Sequence, residues 1–410
     1  MKFIDLFAGI GGFHLAFEDF GNECVFASEI DSFCQKVYED NFGMKPQGDI
    51  TKIDAKDIPD FDILAAGFPC QPFSYAGRLE GFEDKTRGTL FFDILRIIKE
   101  KKPKMFLLEN VKGLKSHQKG RTLDIITSSL KEAGYHIFWT ILDSHDFGVP
   151  QKRERWYCVG FDKDIPFEFP QGTNNTTTLR DIVDVTLNDP KLRLSDFELA
   201  RIKHHFESSD ERVQHDNSKY APNTKKGKYG VYSYLKPDKT LRFHIGDVAK
   251  TQIQEAYYCS LDSVAPAIIV ARAPKLWDLE RYLSVDECRK LQGFPDDFKL
   301  DVSDVQAKKQ LGNSIAVPVV KEIVRNMMKY YNGVEPTEKS KINLSAGEKS
   351  VLDVIIQDGT LTGSEIGMRI SMSKRTVQKN VRSLREKGLI HREGSNRKGV
   401  WIVTKYNKNH

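Results

Sequence analysis

Over the first 161 residues, short apolar runs alternate with stretches whose apolar residues recur every three or four positions. The runs at 2–7, 24–28, 61–66, 104–108, 136–142 and 156–161 read as strands, and 2–7, 61–66 and 104–108 as strands buried on both faces. Between them, 13–20 reads as a helix, and Phe91, Ile94, Leu95 and Ile98 form a helical stripe that belongs to a core. Strand alternating with helix predicts an α/β, doubly wound sheet.

Beyond Phe161 the alternation weakens. Residues 161–278 are polar, with a run from Lys225 to Tyr232 that interleaves lysines and tyrosines. Such a run suits phosphate contacts, and equally an exposed loop. Order returns at 314–331, a helix with Val320, Ile323, Val324, Met327 and Met328 on one face. The polar stretch 332–343, with Gly333 and Pro336, reads as a linker.

The tail has its own pattern. Ser345 caps a helix carrying Val351, Leu352, Val354 and Ile355, and Thr362 to Ile366 begins a second. Ser373 caps a third helix whose Val377, Val381 and Leu384 share one face. Lys374, Arg375, Gln378, Lys379, Arg382 and Arg385 are left outside as a candidate major-groove surface. Residues 388–390 and 400–403 would form a hairpin with 395–399 at its tip, so this part resembles a winged helix-turn-helix. A protein-contact or dimerising role is the rival reading.

Composition sharpens this picture. The chain has 410 residues, room for two or three domains, and a formal charge of +5. From Lys341 onward there are 14 Lys and Arg against 6 Asp and Glu, so the remainder is slightly acidic and the basic excess lies in the tail. No run has transmembrane length, and the amino terminus has no signal-peptide layout. The six cysteines show no CxxC spacing, so neither a metal site nor a disulfide framework is expected, and a cytoplasmic location fits.

One cysteine sits differently. Cys70 lies in Gly67-Phe68-Pro69-Cys70-Gln71-Pro72-Phe73-Ser74, at the carboxyl end of a strand, where open α/β sheets bind ligands. The corner Ala8-Gly9-Ile10-Gly11-Gly12 lets backbone approach a ligand closely. Glu29 ends the second strand as an acceptor for ribose hydroxyls, and Asp49-Ile50, expected near a third strand end, suits an adenine edge. Glu109 ends the strand beside Cys70, placed to protonate a ring nitrogen if its pKa is raised. Arg153 and Arg155 fall on one side of an extended segment and could clamp a carbonyl and a phosphate.

The ordered set DLFAGIGG, Glu29, Asp49, GFPCQPFS, ENV and QKRER, followed by LQGFP at 291–295 and QLGNS at 310–314, resembles the bacterial DNA (cytosine-5-)-methyltransferases of restriction–modification systems. The likeness covers about 1–161 and 281–331. It implies a doubly wound S-adenosylmethionine-dependent methyltransferase domain (1–171), an inserted target-recognition domain (172–280) and a returning catalytic segment (281–331). The linker (332–343) and the winged helix (344–410) follow. The implied cofactor is S-adenosyl-L-methionine, with Phe7 stacked on adenine, Gly9, Gly11 and Gly12 around the methionine part, and Glu29 on the ribose. Ile30, Asp49 and Ile50 would surround the adenine, with Gly67, Pro69 and Asn313 nearby. Cys70 would attack cytosine carbon 6, Glu109 protonate nitrogen 3 and Arg155 hold the ring carbonyl, on a base flipped out of double-stranded DNA. Gln71 and Ser74 would touch the opened DNA, and a cognate restriction endonuclease would act on the same site without a stable complex. Many members carry a Thr-Leu pair before the returning motif. Here the matching stretch, 266–270, lacks it, and Thr240-Leu241 lies upstream. A tRNA cytosine-5 methyltransferase sharing this core, and a transcriptional regulator acting through the tail, are the alternatives.

Overall fold

In the computed structural model, which describes residues 1–69, 90–173, 175–216, 230–246, 253–269, 273–333, 344–387, 389–393 and 400–403, the apolar runs become the strands of one sheet. The first part of the chain comprises β1 (Lys2–Leu6), α1 (Gly12–Glu18), β2 (Glu23–Ser28), α2 (Ser32–Phe42) and β3 (Ile63–Gly67). It continues through α3 (Leu90–Lys101), β4 (Met105–Val111), α4 (Arg121–Glu132), β5 (His136–Asp143), β6 (Gln151–Lys152) and β7 (Glu154–Phe161). Six of these strands pair in the order β2-β1-β3-β4-β7-β5, parallel except for β7, which runs against both neighbours. The chain winds outward from β1 to β2, then crosses back to β3. The carboxyl ends of β1 and β3 therefore flank the switch point where such sheets take ligands.

Both sheet faces are covered, which is why the central strands read as unbroken apolar runs. On one face Phe91, Ile94, Leu95, Ile98, Leu123 and Ile126 from α3 and α4 pack on Ile4, Leu6, Leu64 and Phe106. Each such side chain contributes on the order of 1.5–3 kcal/mol on burial. One expectation fails here: no strand precedes Asp49. Gln47 makes only an isolated parallel bridge to Ser28, and Asp49 caps a single 3-10 turn, Ile50–Lys52. The Gln47 carbonyl still accepts from the Glu29 N–H at 2.8 Å, so this segment is held to the end of β2 two residues before Asp49.

The inserted interval contributes α5 (Asp196–Glu207), then β8 (Val213–His215), β9 (Gly230–Leu235), β10 (Leu241–Gly246) and β11 (Ile253–Tyr258), an antiparallel sheet of order β11-β10-β9-β8. Leu194, Ile202, Val231, Leu241, Phe243 and Tyr258 form its core. Thr240 and Leu241, the upstream Thr-Leu pair, are buried where β10 begins. β12 (Ala265–Pro266) then pairs in parallel with β6, and β13 (Lys275–Leu276) pairs with β14 (Arg281–Tyr282). α6 (Val285–Leu291), α7 (Asp304–Asn313) and α8 (Val317–Asn332) follow.

The expected boundary at 280 does not coincide with a break in packing. β14 pairs back onto β13, the Arg281 guanidinium bonds Glu287 and the Asp184 carbonyl, and Leu283, Cys288, Leu291 and Phe294 share a core with Leu179, Cys259, Ala265 and Leu276. α8 returns to the face of the catalytic sheet, where Val320, Ile323, Val324 and Met327 cover Phe13, Ala16 and Phe17 of α1.

The chain divides into two units, Met1–Glu338 and Lys339–His410, a division that falls within the expected linker. The second unit comprises α9 (Ala346–Gln357), α10 (Gly363–Arg369), α11 (Lys374–Glu386) and the hairpin β15 (Ile390–Glu393) with β16 (Val400–Val403). Ser345, Thr362 and Ser373 cap the three helices, each cap worth about 1 kcal/mol. Val351, Leu352, Ile355, Ile366, Val377, Leu384, Ile390 and Trp401 close its core. The expected wing tip, 395–399, lies outside the described residues. Among the described residues no helix is long and apolar enough to cross a membrane.

Candidate active site

The switch point is built from four strand ends. After β1 the backbone turns sharply: Phe7 adopts φ 55°, a left-handed conformation that costs a bulky residue about 1–3 kcal/mol and recurs at functional sites. Its partly buried ring packs against the core cluster that contains Ile50. Gly11, at φ 89°, has no room for a Cβ, which would run into the Phe42 ring, and one on Gly12 would meet Ile315. Gly9, at φ 54°, has open space where a Cβ would lie. The corner is thus tight behind and empty in front.

Glu29 is aimed by backbone. The Gly9 N–H donates to Oε2 and the Asp31 N–H to Oε1, both at 2.8 Å. Two of the roughly four lone-pair positions of the carboxylate remain for a diol. Beside it Ile30 is 75% exposed, an apolar side chain held out over the corner. Asp49 accepts from the Thr51 N–H at 3.0 Å and the Thr51 hydroxyl at 2.8 Å, and these bonds hold its carboxyl below the usual range. It remains an ionised acceptor, suited to an exocyclic amine. The Ile50 side chain is buried in the core cluster against which Phe7 packs. α7 returns to the same corner through Lys309, 3.1 Å from Asp31, and ends at Asn313, whose side chain is exposed. A tight left-handed corner, a diol acceptor, an amine acceptor and an exposed aliphatic side chain fit a nucleoside carrying a small chain.

Across the sheet, Gly67 of β3 pairs with Glu109 of β4. The Glu109 Oε2 lies 3.4 Å from where a Cβ on Gly67 would be, so the carboxyl sits directly over the end of β3. Glu109 is buried. Burial raises its pKa above the usual carboxylate range, opposed by Arg155 and then Arg153. Arg155 Nε lies 3.2 Å from Glu109 Oε1. A carboxyl whose pKa is raised, set beside a fixed cation, is suited to give a proton to one atom of a ring while the cation holds its carbonyl. Asn110 donates to the Phe68 carbonyl at 2.9 Å, tying this strand end to the root of the cysteine loop. Pro69 is exposed; Cys70, Gln71 and Ser74 lie outside the described residues.

The other five cysteines are poor nucleophiles. All are buried, and burial pushes the thiols of Cys24, Cys34, Cys259 and Cys288 up to about 12 and that of Cys158 higher still. Among the described residues no group of three or more His, Cys, Asp or Glu could hold a metal ion.

Arg153 corrects an expectation. It does not join Arg155 in a clamp on substrate, because its guanidinium is spent on three backbone carbonyls, those of Ile268, Gly312 and Ser314. Asn110, Gln151 and Gln292 organise the site yet drew no assignment from the sequence. For Gln151 a signal was there: in QKRER it shares the alternation of Arg153 and Arg155.

In the second unit, Lys374, Arg375, Gln378, Lys379 and Arg382 are all exposed on α11, while Val377 and Leu384 face its core.

Comparison with known proteins agrees with this geometry. The model of the C-5 cytosine-specific DNA methylases matches residues 1–329, and that of the MarR family matches residues 342–399. The chain is 43% identical over 333 residues to the type II methyltransferase M.NlaX of Neisseria lactamica, covering 80% of this chain and 96% of the relative. It is 39% identical over 337 residues to M.HhaI of Haemophilus parahaemolyticus, covering 80% and 94%. The fold resembles the crystal structure of S. pombe Dnmt2 methyltransferase, with a TM-score of 0.58 at 19% identity over 81% of this chain and 99% of that one.

Proposed function

Given that this chain belongs to the C-5 cytosine-specific DNA methylases and is a DNA cytosine methyltransferase, we propose that Cys70, Glu109 and Arg155 carry its chemistry on a flipped-out cytosine. The observation that carries this reading is buried Glu109, its pKa raised, paired with the half-buried Arg155 at the strand end next to the one that leads into Cys70. When bound, S-adenosylmethionine supplies an electrophilic methyl group. Phe7 and Ile30 would enclose its adenine, Asp49 accept from the amine, Glu29 hold the ribose, and the corner at Gly9 admit the remaining chain beside Asn313.

Cytosine carbon 5 is a poor nucleophile. The Cys70 thiolate adds to carbon 6 while Glu109 gives its proton to nitrogen 3, so the electron pair of the 5,6 bond becomes available at carbon 5. Arg155 holds the ring carbonyl and, through its charge, keeps Glu109 in place. Once carbon 5 carries the methyl group, a base removes its proton and the electron pair expels the thiolate, restoring the aromatic ring. The base must leave the duplex for this to happen.

The exposed cationic side of α11 and the MarR-family match support a second DNA contact, through Lys374, Arg375, Gln378, Lys379 and Arg382. The type II relatives support a role beside a restriction endonuclease that reads the same site. Bisulfite sequencing of plasmid DNA from cells expressing the chain tests the main reading. Protected cytosines should fall in one short sequence, and unmodified DNA from a strain with soluble protein refutes it.

A further inference from the structure

Gln151 and Arg153 grip one residue of the inserted interval from both sides. The Ile268 N–H donates to Gln151 Oε1 at 2.8 Å, and the Ile268 carbonyl accepts from Arg153 Nη1 at 2.9 Å. Both side chains then reach onward. Arg153 Nη2 donates to the carbonyls of Gly312, at 3.0 Å, and Ser314, at 2.5 Å, which bracket Asn313. Gln151 Nε2 donates to the Leu291 carbonyl at 2.9 Å and to Gln292 Oε1 at 3.1 Å, and Gln292 Nε2 donates to the Leu311 carbonyl. Two residues further along the chain, Arg155 at the start of β7 meets Glu109.

This is a costly way to fill space. Arg153 is 3% exposed, and burial draws its pKa down to about 9. The carbonyls that its two Nη groups meet come from segments 115 to 161 residues away. A buried cation met by carbonyls of two separate segments is satisfied in one arrangement only, since displacing either segment strands polar groups out of water.

We propose that Gln151 and Arg153 are positioning residues that couple target readout to cofactor binding. Seating of the recognition segment at 265–268 and occupancy of the corner at 312–314 favour one another, and the catalytic strand is the part they share. The proposal rests on reading the inserted interval as the DNA-reading part and Asn313 as a cofactor contact.

The test uses the full chain, S-adenosylhomocysteine as the probe, and duplex DNA containing the sequence found by bisulfite mapping. In the wild type each should tighten the other's binding by the same factor, within the roughly 5–150-fold range of such couplings. Arg153→Lys and Gln151→Glu should bring that factor towards one while each separate affinity changes less than about threefold. A merely structural role would lower the competent fraction and leave the factor unchanged, which overturns the proposal. A second measurement needs no variant. In the wild type, S-adenosylhomocysteine without DNA should slow hydrogen exchange at the Ile268 amide. Protection confined to the cofactor corner overturns the proposal, and no binding of S-adenosylhomocysteine at all removes the underlying reading and the proposal with it.

Discussion

Glu109→Gln separates a proton donor from a structural counter-ion. Glutamine keeps the shape and an acceptor for Arg155 but has no proton to deliver. General acid help is worth about 10²–10⁴-fold, or about 2.7–5.4 kcal/mol of barrier at 1.36 kcal/mol per tenfold. The stability effect has a definite sign. Burial raises the Glu109 pKa in the folded chain, so the stabilisation it brings is complete below the ordinary carboxylate value and lost as pH rises through the raised one. Glutamine does not titrate. The variant should therefore gain on the wild type as pH rises, and melt at or above it at pH 8.5. Were Glu109 present mainly to neutralise Arg155, its loss would instead lower stability at both pH values, because a half-buried cation would lose its counter-ion. Single-turnover methyl transfer, thermal melting at pH 5.5 and 8.5, and S-adenosylhomocysteine affinity together decide. A lower melting temperature at both pH values, or weakened cofactor binding with intact chemistry, refutes the assignment.

Cys70→Ala should bind cofactor and DNA but transfer no methyl group, and DNA carrying 5-fluorocytosine should trap the wild type covalently because fluorine cannot be eliminated as a proton. Turnover in the alanine variant would sink the nucleophile assignment. Truncation after Gly333 should leave a methyltransferase of unchanged sequence specificity, since that part holds each strand end of the site. The module from Leu344 to His410 has its own core and should bind DNA less tightly as salt rises. Replacing Arg375, Lys379 and Arg382 with alanine should flatten that salt dependence by roughly 2.7 in log–log slope if all three meet phosphates, and an unchanged slope would point to a protein-contact surface instead.

Much of this molecule is local and therefore readable from the chain itself. Apolar runs buried on both faces, the glycine corner, and the caps at Ser345, Thr362 and Ser373 depend on neighbours within a few residues, so β1, β3, β4 and the three tail helices stand where their patterns put them. The order of the first motifs pointed to the same place, because Phe7, Glu29, Gly67 and Glu109 sit at or just beyond the carboxyl ends of β1 to β4, which meet at the switch point. The tertiary structure decided what depends on distant partners. Alternation placed Arg153 and Arg155 on one side, but only packing sends Arg155 to Glu109 and Arg153 to carbonyls more than a hundred residues away. The same holds for residues 281–311, whose sequence carries catalytic-family motifs while much of their apolar surface shares a core with the inserted interval. Periodicity says which face of an element is buried. Which other segment buries it is settled when the whole chain fills its core without leaving a polar group stranded.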